Sequence, residues 1–234
     1  MQNSKIIVTE ELVKWFPVGG GKFTALNKIN LDFGKGEFAG LVGPSGSGKT
    51  TLLNIIGSLD SPSEGRAVVL DQSIGELTHR QAAKLRNKYL GFIFQTYNLL
   101  PVYTVYENVE FPLLLLDIPS EERHKAVLDA VEWVGLTDKL KSRPGQLSGG
   151  ESQRVAIARA MVKKPEVVLA DEPTANLDAA NSHHILQTME NLNKELKTTF
   201  IFATHDDKVI QYLRRKISLE DGKVVNDESS GNGK

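Results

Sequence analysis

The chain has 234 residues, a formal net charge of −1, 40% hydrophobic residues and no cysteine. That length buries a sizeable core in one α/β domain with a subdomain, or in two small domains, without a disulfide or metal staple. The missing thiols exclude a disulfide framework, a thiolate metal site and a cysteine nucleophile, and the balanced charge offers no basic face, so nucleic acid is not an expected partner.

In chain order, MQNSKIIVTEELVKW shows no charged leader followed by an apolar run, and the longest apolar stretch, FPLLLLDI at 111–118, is too short to cross a bilayer; a soluble chain is expected. Residues 5–36 read as β-rich, with KIIVTE and FTALNKINLDF flanking a glycine turn, VGGGK at 18–22. Trp15 and Phe16 fall in this region and face opposite ways if it is a strand. FAGLV at 38–42 is a short apolar strand, then comes GPSGSGKTT, then the helical KTTLLNIIGSL. Gly43-x-x-x-x-Gly48-Lys49-Thr50 matches the P-loop pattern at every position. Its glycines let the backbone approach phosphates, Lys49 reaches the β- and γ-phosphates, and the Thr50 hydroxyl suits Mg²⁺. The whole run, Gly43, Pro44, Ser45, Gly46, Ser47, Gly48, Lys49, Thr50 and Thr51, is read as the nucleotide loop.

RAVVL at 66–70 predicts a strand, and a helix starts near Thr78, whose Gln81 completes a capping-box spacing. YLGFIFQ at 89–95 predicts a buried strand. Residues 96–164 are mostly helical in pattern, with Ser120 as the expected N-cap of EERHKAVLDAVEWVGL. Within this block QLSGGES precedes a second helical run, so Ser148, Gly149 and Gly150 form another anion cradle at a helix start. EVVLADE at 166–172 is a strand that brings Asp171 and Glu172 to its carboxyl end, where α/β sheets bind ligands. Asp171 there suits Mg²⁺ held through water, and Glu172 suits proton abstraction from an attacking water. The helix NSHHILQTMENLNKEL leads to the strand TTFIFATH at 198–205. Gln95 and His205 then end strands on the same edge, where a glutamine orients water or completes a Mg²⁺ shell and a histidine bonds the γ-phosphate or the water. His79, His124, His183 and His184 read as surface or partly packed side chains. RKISLEDGKVV at 215–225 is a hairpin with an Asp-Gly turn, and the tail 226–234 lacks the apolar residues that order a segment, so disorder is expected.

Alternating strands and helices imply an α/β fold, a mainly parallel sheet covered on both faces, with a helical insertion over about 96–164. On these residues the chain resembles the ATP-binding subunits of ABC transporters over almost its whole length. GPSGSGKTT resembles Walker A, FIFQ the Q-loop strand, LSGGE the signature motif, VVLADEPTANLD Walker B with the D-loop, and FATH the H-switch. NLLPVYTVYENVEFPLLL and GSLDSPSEG are similar to the lipoprotein-release and macrolide-export branch.

The resemblance implies one P-loop ATPase cassette over 1–225, with an N-terminal antiparallel β-subdomain and a helical subdomain. It implies ATP and Mg²⁺ as cofactors and a head-to-tail homodimer around two ATP molecules. Ser148, Gly149, Gly150 and Glu151 of one copy would close over the nucleotide held by the other, with Asn176, Leu177 and Asp178 at the seam. Thr50, Gln95 and Asp171 would serve the metal, and Glu172, His205 and Gln95 the catalysis. Adenine would stack on Phe16, with Trp15 as the neighbouring aromatic. Membrane transporter subunits would dock on the helical insertion, linked to the γ-phosphate through Tyr97, Asn98, Leu99, Leu100 and Pro101, which places the chain in the cytoplasm at the inner face of the membrane. An ATPase that powers a cell-wall-regulating or signalling complex shares all these features. A P-loop kinase would leave LSGGE unexplained, and a GTPase would need an Asn-Lys-x-Asp reader after the P-loop. One departure stands out: the commoner signature ends in glutamine, whereas Glu151 puts a carboxylate near a γ-phosphate, so Glu151→Gln is expected to tighten the ATP-bound dimer.

Overall fold

The computed structural model describes residues 5–229. Two long strands open the chain, β1 (Lys5–Val18) and β2 (Gly21–Gly34). The turn between them sits inside the glycine run, with Gly19 at φ 52° and Gly20 at φ 83°, the paired positive φ values of a two-residue hairpin turn. Then follow β3 (Phe38–Val42), α1 (Lys49–Ile56), β4 (Glu64–Val69), β5 (Gln72–Ser73), α2 (His79–Tyr89) and β6 (Leu90–Ile93). The block from 96 to 164 carries α3 (Val105–Leu114), α4 (Ser120–Trp133) and α5 (Gly149–Met161). The chain continues through β7 (Val167–Asp171), α6 (Ala179–Leu196), β8 (Thr199–Thr204), α7 (Asp207–Ile210), β9 (Arg215–Glu220) and β10 (Lys223–Ser229).

The strands form two sheets. One is antiparallel, in the order β2-β1-β4-β5; the other runs β10-β9-β3-β8-β7-β6, parallel except for β10. Period-two alternation splits the core. Val168, Ala170, Phe200 and Phe202 pack with α3 to α6, while Val167, Leu169, Ile201 and Ala203 pack with α1 and the antiparallel sheet. Both faces of the parallel sheet are thus covered, which is why its strands read as unbroken apolar runs. Emptying one such site, as in Phe202→Ala, costs roughly 3–5 kcal/mol. Because β3, β8, β7 and β6 point the same way, their carboxyl ends lie along one edge, and the functional residues gather there.

Three expectations need correction. Ser120 is the first helical residue of α4 and not its cap; the N-cap is Pro119, whose carbonyl accepts from Arg123 N–H at 2.9 Å, and Ser120 makes no side-chain cap bond. β6 stops at Ile93, two residues before Gln95, because the chain turns there, with Tyr97 N–H bonded to Phe94 O at 3.1 Å. The tail is partly ordered: β10 takes in Asn226 to Ser229, paired with β9 from Ser218 to Arg215. Arg215 grips Asp227 at both carboxylate oxygens, 2.8 and 2.7 Å. Residues 226–229 hold no apolar side chain; a backbone ladder and a bidentate ion pair extend the strand through them, beyond Val224, which packs against the core. The remainder of the tail, 230–234, lies outside the described residues.

Candidate nucleotide-binding and catalytic site

The phosphate loop is shaped by close backbone contacts. Gly43 has φ 153°, and a Cβ there would lie 2.2 Å from Leu219 O on β9. Gly48, the N-cap of α1, has φ 103°, and its Cβ would lie 2.7 Å from Ala25 O on β2. These two glycines let the loop pack against its neighbours as well as approach a ligand. The Asp221–Gly222 turn braces it from behind, with Gly222 N–H donating to Ser47 O at 3.1 Å and Gly222 O accepting from Asn27 N–H at 2.8 Å. Among the described residues no side chain caps α1, which leaves the first-turn N–H groups open to an anion. Ser47 Oγ is buried without a partner among the described residues.

Lys49 lies at the base of the loop, 7% exposed. Its Nζ donates to Gly43 O at 2.7 Å and Pro44 O at 2.8 Å. Burial lowers its pKa, and the carboxylates of Glu172 and Asp171 oppose that shift. Asp171 moves the other way: burial raises its pKa, the Thr50 hydrogen bond pulls it back, and Glu172 adds to the rise. A lysine and an aspartate that are both disfavoured in their charged forms gain when phosphate and a cation arrive. Thr50 Oγ1 donates to the Asp171 carboxylate, 3.0 and 3.2 Å from its two oxygens. The pair fits a hard, oxygen-seeking cation such as Mg²⁺, which takes one or two protein oxygens and fills its shell with phosphate and water. Among the described residues no group of three or more His, Asp or Glu side chains forms a metal cage.

The remaining predicted residues come from the strand ends. Glu172 follows β7 with φ 46° and is hydrogen-bonded through Oε1 to His205 Nδ1 at 2.5 Å. Gln95 reaches the same edge from the turn after β6, its carbonyl accepting from Asn176 Nδ2 at 2.9 Å. Ser45, Gly46, Gly48, Lys49, Thr50 and Thr51 line one cleft of about 500 Å³ together with these residues, a size suited to a small-molecule ligand. Its walls also include Phe16, Gln95, Asp171, Glu172 and His205. Trp15 is not among the lining residues; Lys22 Nζ sits 3.8 Å from its ring centre.

Phe23 was not legible as a site residue. It pairs across the hairpin with Phe16 and lines the cleft beside it, 56% exposed. The signal was present in the glycine turn, which sets the register that brings the two rings to one mouth. Gly43, Pro44 and Ser47, by contrast, do not line the cleft; Ser47 is buried and Pro44 is exposed outside it.

Ser148, Gly149, Gly150, Glu151 and Asp178 stand apart from this cleft. Ser148 caps α5 in a full capping box, accepting from Glu151 N–H at 3.2 Å while its own N–H donates to Glu151 Oε2 at 2.8 Å. Ser148 and Gly149 are exposed. The Ser148 backbone bond holds the Glu151 pKa below its ordinary value, and Lys139 Nζ lies 3.3 Å from its other oxygen. Asp178 caps α6, accepting from Asn181 N–H at 2.8 Å. Asn181 in turn crowds Gly150, where a Cβ would lie 2.5 Å from Asn181 Oδ1. The four histidines outside the site are accounted for without a metal: His124 bonds Tyr106 Oη, His183 bonds Tyr212 Oη, and His79 and His184 are exposed.

A P-loop on a parallel sheet, with acid, amide and imidazole groups arrayed along the same edge, defines a nucleotide-hydrolysing cassette. Comparison with known proteins gives its family. The family described as ABC transporter matches residues 26–175, and the chain belongs to that family as an ATPase of the cassette type. It is 42% identical over 227 residues to the lipoprotein-releasing system ATP-binding protein LolD of Pseudoalteromonas translucida, covering 97% of this chain and 98% of that one. It is 41% identical to the macrolide export ATP-binding/permease protein MacB of Hyphomonas neptunium, over 97% of this chain and 35% of that protein. Among solved structures, the dimeric bacterial ABC transporter cassette MJ0796 matches with a TM-score of 0.89 at 39% identity, covering 96% of this chain and 98% of that one. A post-hydrolysis dimer of the same cassette, bound to ADP and Pi, matches with a TM-score of 0.88 over the same shares of the two chains.

Proposed function

We propose that the chain hydrolyses ATP as a head-to-tail homodimer and drives a membrane partner of the lipoprotein-release or macrolide-export type. The observation that carries this reading is the division of the site. The phosphate loop and the strand-end groups line one cleft, while the capped cradle at Ser148, Gly149 and Gly150 lies outside it, with Ser148 and Gly149 exposed and Gly150 buried. A second copy can supply what each cleft lacks, and Asp178 and Asn181 hold the cradle in shape. The dimeric relative and the LolD and MacB resemblances agree with this.

In this mechanism Lys49 leaves its loop carbonyls for the β- and γ-phosphates, so that its charge is satisfied where burial had disfavoured it. Thr50, Asp171 and Gln95 would hold Mg²⁺, which when bound would supply positive charge against the charge building on the phosphates. Glu172 takes the proton of the attacking water, and His205 fixes its carboxylate and faces the γ-phosphate. Phe16 and Phe23 form the apolar mouth for adenine. Among the described residues no helix is long and apolar enough to cross a membrane, so membrane placement comes through the partner, seated in the groove between α2, β6 and α3.

Glu172→Gln tests the chemistry. The variant keeps ATP binding, loses at least about 10²-fold in steady-state hydrolysis, and accumulates an ATP-dependent dimer in size-exclusion chromatography. Turnover at the wild-type rate would remove Glu172 as the base.

A further inference from the structure

Glu172 is held at both oxygens. His205 takes Oε1, and on the other side Thr204 Oγ1 donates to Oε2 at 3.0 Å. Thr204 ends β8 and is fully buried. Its Oγ1 also accepts from the backbone N–H of Asp206 at 3.0 Å. A threonine hydroxyl carries a single proton. With an N–H already directed at the oxygen, the Glu172 carboxylate is the acceptor for that proton among the described residues.

Asp206 is fixed in its turn. Its Oδ2 accepts from the Thr174 hydroxyl at 3.1 Å, and its Oδ1 accepts from Lys208 N–H at 2.9 Å. Thr174 lies two residues after Glu172 and is 2% exposed. The chain of bonds therefore leaves β7, crosses to the segment after β8, and returns to the carboxylate. Most side-chain hydrogen bonds go to backbone or water; the Thr204 hydroxyl is committed to a side chain in the cleft. The Glu172 backbone, at φ 46° and tied to Ala203 O at 2.9 Å, is fixed as well. Each carboxylate oxygen keeps a second lone pair, so water still has an acceptor.

We propose that Thr204 is a positioning residue for hydrolysis, acting through Glu172 by holding Oε2 so that the carboxylate presents its free lone pairs to the attacking water. The inference rests on the role proposed for Glu172.

The test compares Thr204→Val, which keeps the shape and removes the hydroxyl, with Thr204→Ser, which keeps the hydroxyl, in purified full-length protein. Thr204→Val should lower kcat by about tenfold or more while KM for ATP and nucleotide affinity stay within about twofold, and Thr204→Ser should restore most of the rate. Wild-type kcat in Thr204→Val overturns the proposal. So does an equal loss in Thr204→Ser, which would assign the effect to packing of the methyl group. If Thr204→Val does not fold, Thr204→Ala bears the same comparison. Glu172→Gln measured alongside separates the two ideas: if it is inactive while Thr204→Val is wild-type, only Thr204 loses its role, whereas an active Glu172→Gln removes the base and the positioning with it.

Discussion

At the scale of single residues, three aromatic side chains near the cleft divide their work by position in the hairpin. Phe16 and Phe23 sit opposite one another and line the mouth, 37% and 56% exposed, while Trp15 Nε1 is buried without a partner among the described residues and its ring lies under Lys22. A flat base gains about 1–3 kcal/mol by stacking on an aromatic face. Phe16→Ala should therefore weaken ATP binding by about tenfold, and Phe23→Ala by less, since its ring is more exposed. Trp15→Ala should lower the melting temperature and leave affinity near wild type. Isothermal titration with a non-hydrolysed ATP analogue, paired with thermal unfolding, distinguishes these outcomes; equal affinity loss in all three would dissolve the division of roles.

At the scale of elements, α5 shows how a local rule and a tertiary contact share one residue. Glu151 completes the capping box and also pairs with Lys139, so its negative charge is partly compensated before any nucleotide arrives. A glutamine at this position keeps the box and loses only a half-exposed ion pair, worth about 0–1 kcal/mol. Glu151→Gln should therefore fold with near wild-type stability. It should also tighten the ATP-bound dimer, because a carboxylate no longer faces phosphate while Lys139 is released. Dimer fraction measured in a Glu172→Gln background across salt concentrations checks this, and identical curves for both forms would refute it.

The same helix explains what was legible in the sequence. Capping boxes at Thr78 and Ser148, the P-loop and the Asp-Gly turn are read within a few residues, and each lies where its spacing predicts. What escaped depends on distant partners. Thr204 gains meaning from Glu172, 32 positions away, Phe23 from the hairpin register, and β10 from Arg215 gripping Asp227. The Asp221–Gly222 turn was legible as a turn, but its brace on Ser47 was not, because the contact spans most of the chain.

At the scale of the whole molecule, the question is how the nucleotide cleft feels a partner. The groove between α2, β6 and α3 encloses about 1120 Å³ and has Phe111 and Leu115 exposed on one wall. Asn98 also lines it, three positions from Gln95 in the nucleotide cleft. Tyr97 and Asn98 both hold positive φ, 60° and 50°, a conformation costing about 1–3 kcal/mol per non-glycine residue. Arg159 offsets that cost by donating to both carbonyls, at 2.7 and 2.5 Å. Since Arg159 belongs to α5, one side chain joins the groove, the segment after Gln95 and the helix that carries the signature. The groove also has a sign. Arg80, Lys84, Arg86, Arg159 and Lys163 line it against one carboxylate, Asp117, and none of the five cations forms an ion pair among the described residues. Arg86, Arg159 and Lys163 are bound to backbone carbonyls, whereas Arg80 and Lys84 are exposed one helical turn apart on α2. An apolar wall with a cationic rim suits a helix that carries carboxylates beside apolar residues. Replacing both exposed cations, Arg80→Glu with Lys84→Glu, should then weaken co-purification of the membrane subunit by about tenfold or more, with basal ATP hydrolysis unchanged because neither side chain reaches the nucleotide cleft. The loss should shrink as salt screens the repulsion. A doubly reversed chain that retains its partner at low salt would show that the cationic rim does not select it.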